Sequence, residues 1–180
     1  LQVLIGSRDE HRATAAVGSG VNHDVAARSD VVIVAVPFEG HAVTLEPLAG
    51  PLAGKIVVDC VNPLGFDQHG AYPLPVAEGS AAQQAAALLP DSRVVAAFHH
   101  VSAPLLTDPD LTTVDTDVLV LGDDREATDT VQALAAVIPG MRGVYAGRLR
   151  NAAQVEALTA NLVAINRRYK AHAGIRVTDV

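Results

Sequence analysis

Val31-Val32-Ile33-Val34-Ala35-Val36 is an unbroken apolar run with no polar alternation. Half-wetted strands alternate polar with apolar residues, so such a run suits an interior parallel strand covered on both faces. Shorter β-branched runs at 2–5, 55–59, 93–98, 118–122 and, more weakly, 143–145 read as its companions. Between them lie helical windows at 9–17, 22–28, 40–48, 80–89 and 124–138, with Asp24, Ser80 and Asp123 where N-caps are expected. Strands alternating with helices imply βαβ crossovers, hence a mostly parallel α/β sheet with helices on both faces.

At 180 residues with 49% apolar content, the chain suits one globular domain with a small appendage. Aromatics are only 3% and Trp is absent, so Val, Ala and Leu must build the core. Near Arg148 the character changes. Val155, Leu158, Leu162, Ile165 and Tyr169 recur at three and four residues, which predicts one apolar stripe on a helix. Arg167, Arg168 and Lys170 gather where cations oppose the helix dipole, and Gly174 is the expected stop. The chain therefore divides into a sheet domain over 1–147 and a helical segment over 148–180. The stretch 62–79 carries too many Pro and Gly residues for a helix or a central strand. It leaves the carboxyl edge of the sheet, where open α/β folds bind ligands.

The formal net charge of −7 argues against nucleic acid or an anionic membrane as partner, since both require a basic face. A polyanionic cofactor must then be held by local positive charge and backbone N–H groups. A single cysteine, Cys60, excludes an internal disulfide and reads as a small buried hydrophobe. No signal peptide or spanning apolar run is visible, so a cytoplasmic location is the expectation.

The sharpest chemical signal is Gly6-Ser7-Arg8, with Arg12 about one helical turn later. In a dinucleotide-binding sheet the second strand ends beside the adenosine ribose. An acidic residue there holds the 2′-OH of NAD, whereas Arg accommodates the 2′-phosphate of NADP. The competing reading is a solvated helix start, with Asp9 and Glu10 neutralising both arginines. Val36-Pro37-Phe38 leaves a strand on the same edge, and Phe38 either walls a pocket or belongs to an ordinary exit turn. His99 and His100 end the strand 93–98 and, as neighbours on a strand, point to opposite faces. One is expected to face a cleft and the other to pack against a helix. Metal ligation is disfavoured, because no carboxylate or Cys is spaced to complete a set. Ser102 lacks the elbow of a serine nucleophile.

At these motifs the sequence resembles the NADPH-dependent reductases of the deazaflavin coenzyme F-420. The matching stretches are Gly6-Ser7-Arg8, residues 30–37 and 53–59, Asn62-Pro63-Leu64-Gly65-Phe66, Phe98-His99-His100-Val101-Ser102-Ala103 and Asn166-Arg167-Arg168-Tyr169-Lys170. The likeness covers nearly the whole chain. It implies a Rossmann-type domain followed by a small helical part, usually paired as a homodimer. It implies NADP(H) along the sheet edge, its 2′-phosphate on Ser7, Arg8 and Arg12 and its middle against Val36 and Pro37. The deazaflavin would stack on the nicotinamide in a cleft formed by the loop Asn62, Pro63 and Leu64, the segment His99, His100, Val101, Ser102 and Ala103, and the C-terminal helices. Hydride transfer between the two rings needs no obligatory acid, base or metal, so no catalytic residue is assigned.

The family's opening strand and glycine-rich turn fall outside this sequence. Their true absence from the molecule would impair folding and NADP affinity, and their presence elsewhere would leave function intact. Two further readings stay open here. One is an NADP-dependent reductase of another acceptor, a flavin or ferric ion, on the same scaffold. The other is a non-catalytic remnant serving binding or dimerisation.

Overall fold

The computed structural model of the chain describes residues 2–7 and 20–180. In chain order its elements begin with β1 (Gly6–Ser7), β2 (Gly20–Val21), α1 (Asn22–Arg28), β3 (Val31–Val34), α2 (His41–Leu45), α3 (Ala49–Leu52) and β4 (Ile56–Asp59). Then come β5 (Leu64–Asp67), β6 (Gly70–Pro73), α4 (Ala81–Leu88), β7 (Arg93–Ala96) and α5 (Ala103–Thr107). The chain closes with β8 (Thr116–Gly122), α6 (Arg125–Ala135), β9 (Met141–Gly147) and α7 (Ala152–Tyr169). The main sheet has the order β3-β4-β7-β8-β9, parallel throughout except where β8 runs antiparallel to β7. The expected mostly parallel α/β sheet is what forms.

Residue alternation along the central strands divides the core into two halves. Val57, Val94, Ala96 and Leu121 pack with Leu45, Leu52, Ala85, Leu149 and Val155 on one face. Ile56, Val58, Val95, Val118 and Val120 pack with Ala127, Val131, Ala135 and Met141 on the other. Both faces are thus helix-covered, which is why these strands carry no polar alternation. Fully buried Ala81, Ala82 and Ala85 let α4 lie close against the sheet without large side chains.

The helix ends follow local chemistry. Ser80 caps α4 by accepting the Gln83 N–H at 3.0 Å. At α6 the cap is Asp124, which accepts the Ala127 N–H at 2.7 Å. Asp123, the expected cap, instead pairs with Arg148. Asp24 sits inside the first turn of α1 rather than capping it. The carbonyls of Ala26, Ala27 and Ser29 at the far end of α1 accept bonds from the Lys55 ammonium at 2.6–2.8 Å. The single helix expected over 40–48 is broken into short α and 3₁₀ pieces between 38 and 52, with Pro47 and Pro51 interrupting the ladder.

Several other expectations are corrected. Residues 2–5 form no strand, and pairing begins only at Gly6, with Gly20 and Val21 of β2. Strand β3 stops at Val34 and β7 at Ala96, two residues short of the apolar runs that announced them. The stretch 62–79 holds neither helix nor central strand, as expected, and forms the antiparallel hairpin β5–β6 outside the main sheet. Helix α7 ends at Lys170, four residues before Gly174, where a left-handed φ of 52° turns the chain so that the Ala171 N–H also reaches the Asn166 carbonyl, at 3.3 Å. Of the stripe on α7, Val155 and Leu162 are buried, whereas Ile165 and Tyr169 are exposed. The proposed helix over 9–17 lies outside the described residues.

The segment after α7 is pinned by Asp117. Its fully buried carboxylate accepts from Arg142 at 2.8 and 2.7 Å, from Arg176 and from the Val177 N–H at 2.8 Å. The Arg142 bonds hold this carboxyl below its ordinary range, against the opposing effect of burial. On the opposite side of the sheet, β3 has no second neighbour among the described residues, and Ile33 is 49% exposed. A groove of about 870 Å³ runs there, lined by residues 2–6 and 31–36.

Candidate functional site

Strands β3, β4 and β7 lie side by side in register, with Val34 opposite Asp59 and Asp59 opposite Ala96. Their parallel direction delivers the three following segments, Val36 to Phe38, Cys60 to Pro63 and Phe98 to Ala103, to one edge of the sheet. That edge is where an open α/β sheet presents its loops to a ligand. The sequence-expected site residues on these segments are thereby brought together. Ser7 ends β1, apart from the main sheet, and Arg8 and Arg12 lie outside the described residues.

Pro37 starts the exit turn from β3 with φ −58°, and Val36 and Phe38 pack partly into the core. Asn62 donates from Nδ2 to the His99 carbonyl at 2.9 Å, joining the β4 exit to the β7 exit. Thr159 of α7 donates to the same carbonyl at 3.1 Å. Phe98 turns the chain with a positive φ of 66°, unusual for a large residue and tolerated only where the surroundings fix it. Ser102 starts α5 and its hydroxyl meets His172 Nδ1 at 3.1 Å.

His99 and His100 stand beyond the strand end, so the opposite-face rule does not govern them. Both are buried. His100 Nε2 accepts the Leu119 N–H at 3.2 Å, on strand β8 rather than on a helix as expected. Its Nδ1, both ring nitrogens of His99, and Asn62 Oδ1 have no partner. Burial lowers His99 to about 4; the charge of Asp59 opposes the shift and His100 reinforces it. Burial likewise lowers His100 to about 4. Both rings are therefore neutral at pH 7.

That neutrality has a consequence for stability. Below pH 6.5 an unfolded chain binds a proton on each of these rings, which the folded protein refuses until about 4. Stability contributed by the pair therefore falls as pH falls through this window. Glu156, raised to about 6, takes up a proton in the folded state first and offsets part of the loss. The net expectation is a loss on the order of 1 kcal/mol per pH unit between pH 6 and 4.5. Urea midpoints at pH 7, 6 and 5 measure it, and level or rising midpoints on acidification contradict it.

Beneath the edge lies a charged cluster that sequence reasoning missed. His41 Nε2 donates to Asp59 Oδ2 at 2.6 Å, and His41 Nδ1 donates to Gln84 Oε1 at 2.9 Å, with both members of the His41–Asp59 pair fully buried. Burial alone lowers the imidazolium, but the bonds and charge of Asp59, with help from Gln84 and Glu156, raise it overall. Asp59 Oδ1 also accepts the Val61 N–H at 3.0 Å, which fixes the start of the Asn62 loop. Glu156 of α7, 1% exposed, accepts the Ala81 and Ala82 N–H groups at 3.0 and 3.1 Å. Burial pushes it to about 6 against those two bonds. Cys60 donates its thiol to the Val34 carbonyl at 3.0 Å, and burial pushes it up to about 12, so it is unreactive as a thiolate. The available signal for the cluster was Asp59 closing an otherwise apolar strand.

Among the described residues no three His, Cys, Asp or Glu side chains are grouped to hold a metal ion. No helix of the described residues is long and apolar enough to cross a membrane.

Comparison with known proteins gives a consistent set of relatives. The family model described as NADP oxidoreductase, coenzyme F-420-dependent, matches residues 2–63. An F-420-dependent NADP reductase of Methanothermobacter thermautotrophicus is 34% identical over 198 residues, spanning 99% of this chain and 85% of that protein. One from Methanocaldococcus jannaschii is 35% identical over 199 residues, spanning 99% of this chain and 88% of that protein. A crystal structure described as an F-420-dependent NADP reductase from an Arthrobacter species superposes with a TM-score of 0.83 at 25% identity, covering 98% of this chain and 88% of that one.

Proposed function

The chain belongs to the family of F-420-dependent NADP reductases, and from that membership we infer that it moves a hydride between NADP(H) and the deazaflavin coenzyme F-420. The two coenzymes supply the chemistry: a hydride passes between nicotinamide C4 and deazaflavin C5, with one proton exchanged with solvent. The protein contributes alignment and exclusion of water.

In this reading the sheet domain over 1–147 holds NADP(H), and the segment 148–180 closes the deazaflavin cleft. Ser7, Arg8 and Arg12 take the 2′-phosphate. Val36, Pro37 and Phe38 form the apolar ledge under the dinucleotide. Asn62, Pro63, His99, His100, Val101, Ser102 and Ala103 border the deazaflavin. The observation that carries it is the convergence of three strand exits on one edge, bearing polar atoms with no protein partner at Asn62, His99 and His100. Such atoms suit hydrogen-bonding heterocycles or ordered water. Neutral histidines suit them further, because they add no charge beside a hydride path. The reading extends to a homodimer acting in the cytoplasm, with exposed Ile165 and Tyr169 on α7 as the apolar residues available for pairing.

Rates of NADPH oxidation with F-420, free flavin and a ferric chelate test the acceptor. F-420 is expected to be strongly preferred, and inactivity with F-420 alone removes the reading. Arg8→Ala combined with Arg12→Ala tests the cofactor end. Each charge-assisted bond to phosphate contributes about 1.5–3 kcal/mol, so the pair is worth roughly 10²–10⁴-fold in NADPH affinity. NADH should be affected little. Equal losses for both nucleotides contradict the phosphate role.

A further inference from the structure

A second groove, of about 620 Å³, lies between the β5–β6 hairpin and the last two turns of α7. Phe66, His69 and Ala71 form one wall, and Val163, Arg167 and Arg168 the other. In a chain of net charge −7, two adjacent guanidinium groups are a local reversal of sign. Neither arginine has an acidic partner within ion-pair distance among the described residues. The one carboxylate in the groove, Asp67, is already engaged, accepting the His69 and Gly70 N–H groups at 2.7 and 3.1 Å as it closes the hairpin turn. Phe66 is 69% exposed, an aromatic face left in water beside the two cations.

The groove's position relative to the cleft narrows its ligand. Thr159 donates to the His99 carbonyl at the edge of the deazaflavin site proposed above. Arg167 follows Thr159 by two turns of the same helix, which places the two about 12 Å apart along its axis. Val163 and Ala164, which lie between them in the helix, line the groove. A ligand whose ring system sits against His99 and whose charged end reaches an anion site must therefore carry a linker of about that length.

We propose that this groove binds the acidic tail of the deazaflavin coenzyme, its phosphodiester and carboxylate groups paired with Arg167 and Arg168 and its linker lying over Phe66. The assignment rests on the F-420 reading of the main site. Arginine forks suit both phosphate and carboxylate, so the shared chemistry is a polyanionic extension. Recognition of this kind supplies binding energy remote from the reacting carbon and should appear in KM rather than in kcat.

The test compares three acceptors with NADPH: the complete coenzyme, the form carrying the phosphodiester without the terminal carboxylates, and the deazaflavin with only its ribityl chain. R167A/R168A is expected to raise KM for the complete coenzyme about tenfold or more, leaving kcat within about twofold. KM for the ribityl form should be unchanged, and R167K/R168K should recover part of the loss. The intermediate acceptor shows whether the phosphodiester or the carboxylates supply the effect. Equal KM rises for all three acceptors, no rise for any, or a loss traced to a changed oligomeric state would each overturn the assignment. Wild-type protein inactive with every deazaflavin form would remove the main-site reading itself, a result distinct from loss of tail dependence.

Discussion

Asp59→Ala is expected to lower the free energy of unfolding by about 3–5 kcal/mol, the scale for removing one partner of a buried ion pair. The His41 imidazolium it leaves behind is fully buried, with only Gln84 remaining as a hydrogen-bond partner. The ring must then lose its proton or draw in water. Asp59→Asn, which keeps the shape and a hydrogen bond, should lose less. His41→Ala in the Asp59→Ala background should cost far less than in the wild type, since the unpaired charge is already gone. Urea unfolding of the four proteins closes the double-mutant cycle. Additive losses would show that the two side chains contribute separately. The same variants should loosen the Asn62 loop, because Asp59 also accepts the Val61 N–H.

Glu156→Ala is expected to cost about 2–4 kcal/mol, from two lost charge-assisted bonds to the start of α4. Glu156→Gln is the more informative change. Wild-type Glu156 has a folded value of about 6 against an ordinary 4.5. Its contribution to stability is therefore largest below 4.5 and is lost as pH rises through 6. Removing that titration takes away the partial offset to the acid loss from His99 and His100. The Gln variant should thus lose stability more steeply than wild type between pH 6 and 4.5. An unchanged slope would show that Glu156 titrates normally in the folded protein. Docking of α7 on α4 also depends on this carboxylate, so KM for the acceptor should rise in the Ala variant.

Much of the fold was legible because apolar runs and helix caps act locally. Val31–Val34 and Ile56–Asp59 lie within the runs that announced them, and α1 has the bounds expected. The misses lie where tertiary context decides. Residues 2–5 carry strand-forming side chains, yet no described strand pairs with them, and propensity without a partner does not make a sheet. Gly174 fits a terminator by composition, but the left-handed turn comes earlier, at Lys170, where it lets the Ala171 N–H close on the Asn166 carbonyl. At the site, the three strand exits followed from the parallel order alone. The His41–Asp59 pair and Glu156 did not, since a buried His or Glu on a helix reads in sequence like a solvated one, and only Asp59, closing an apolar strand, stood out. Phe98 gave no warning of its positive φ, because nothing in a phenylalanine announces it.

The His99 carbonyl gives the site its mechanical character. Its two lone pairs are occupied by Asn62 and Thr159, so a single peptide unit pins a loop of the sheet to the long terminal helix. A shift of that helix cannot leave the loop behind without stranding one donor. The cleft is thus expected to tighten or relax as one body, and a ligand seated far along the helix is felt at the hydride path through a lever rather than a hinge.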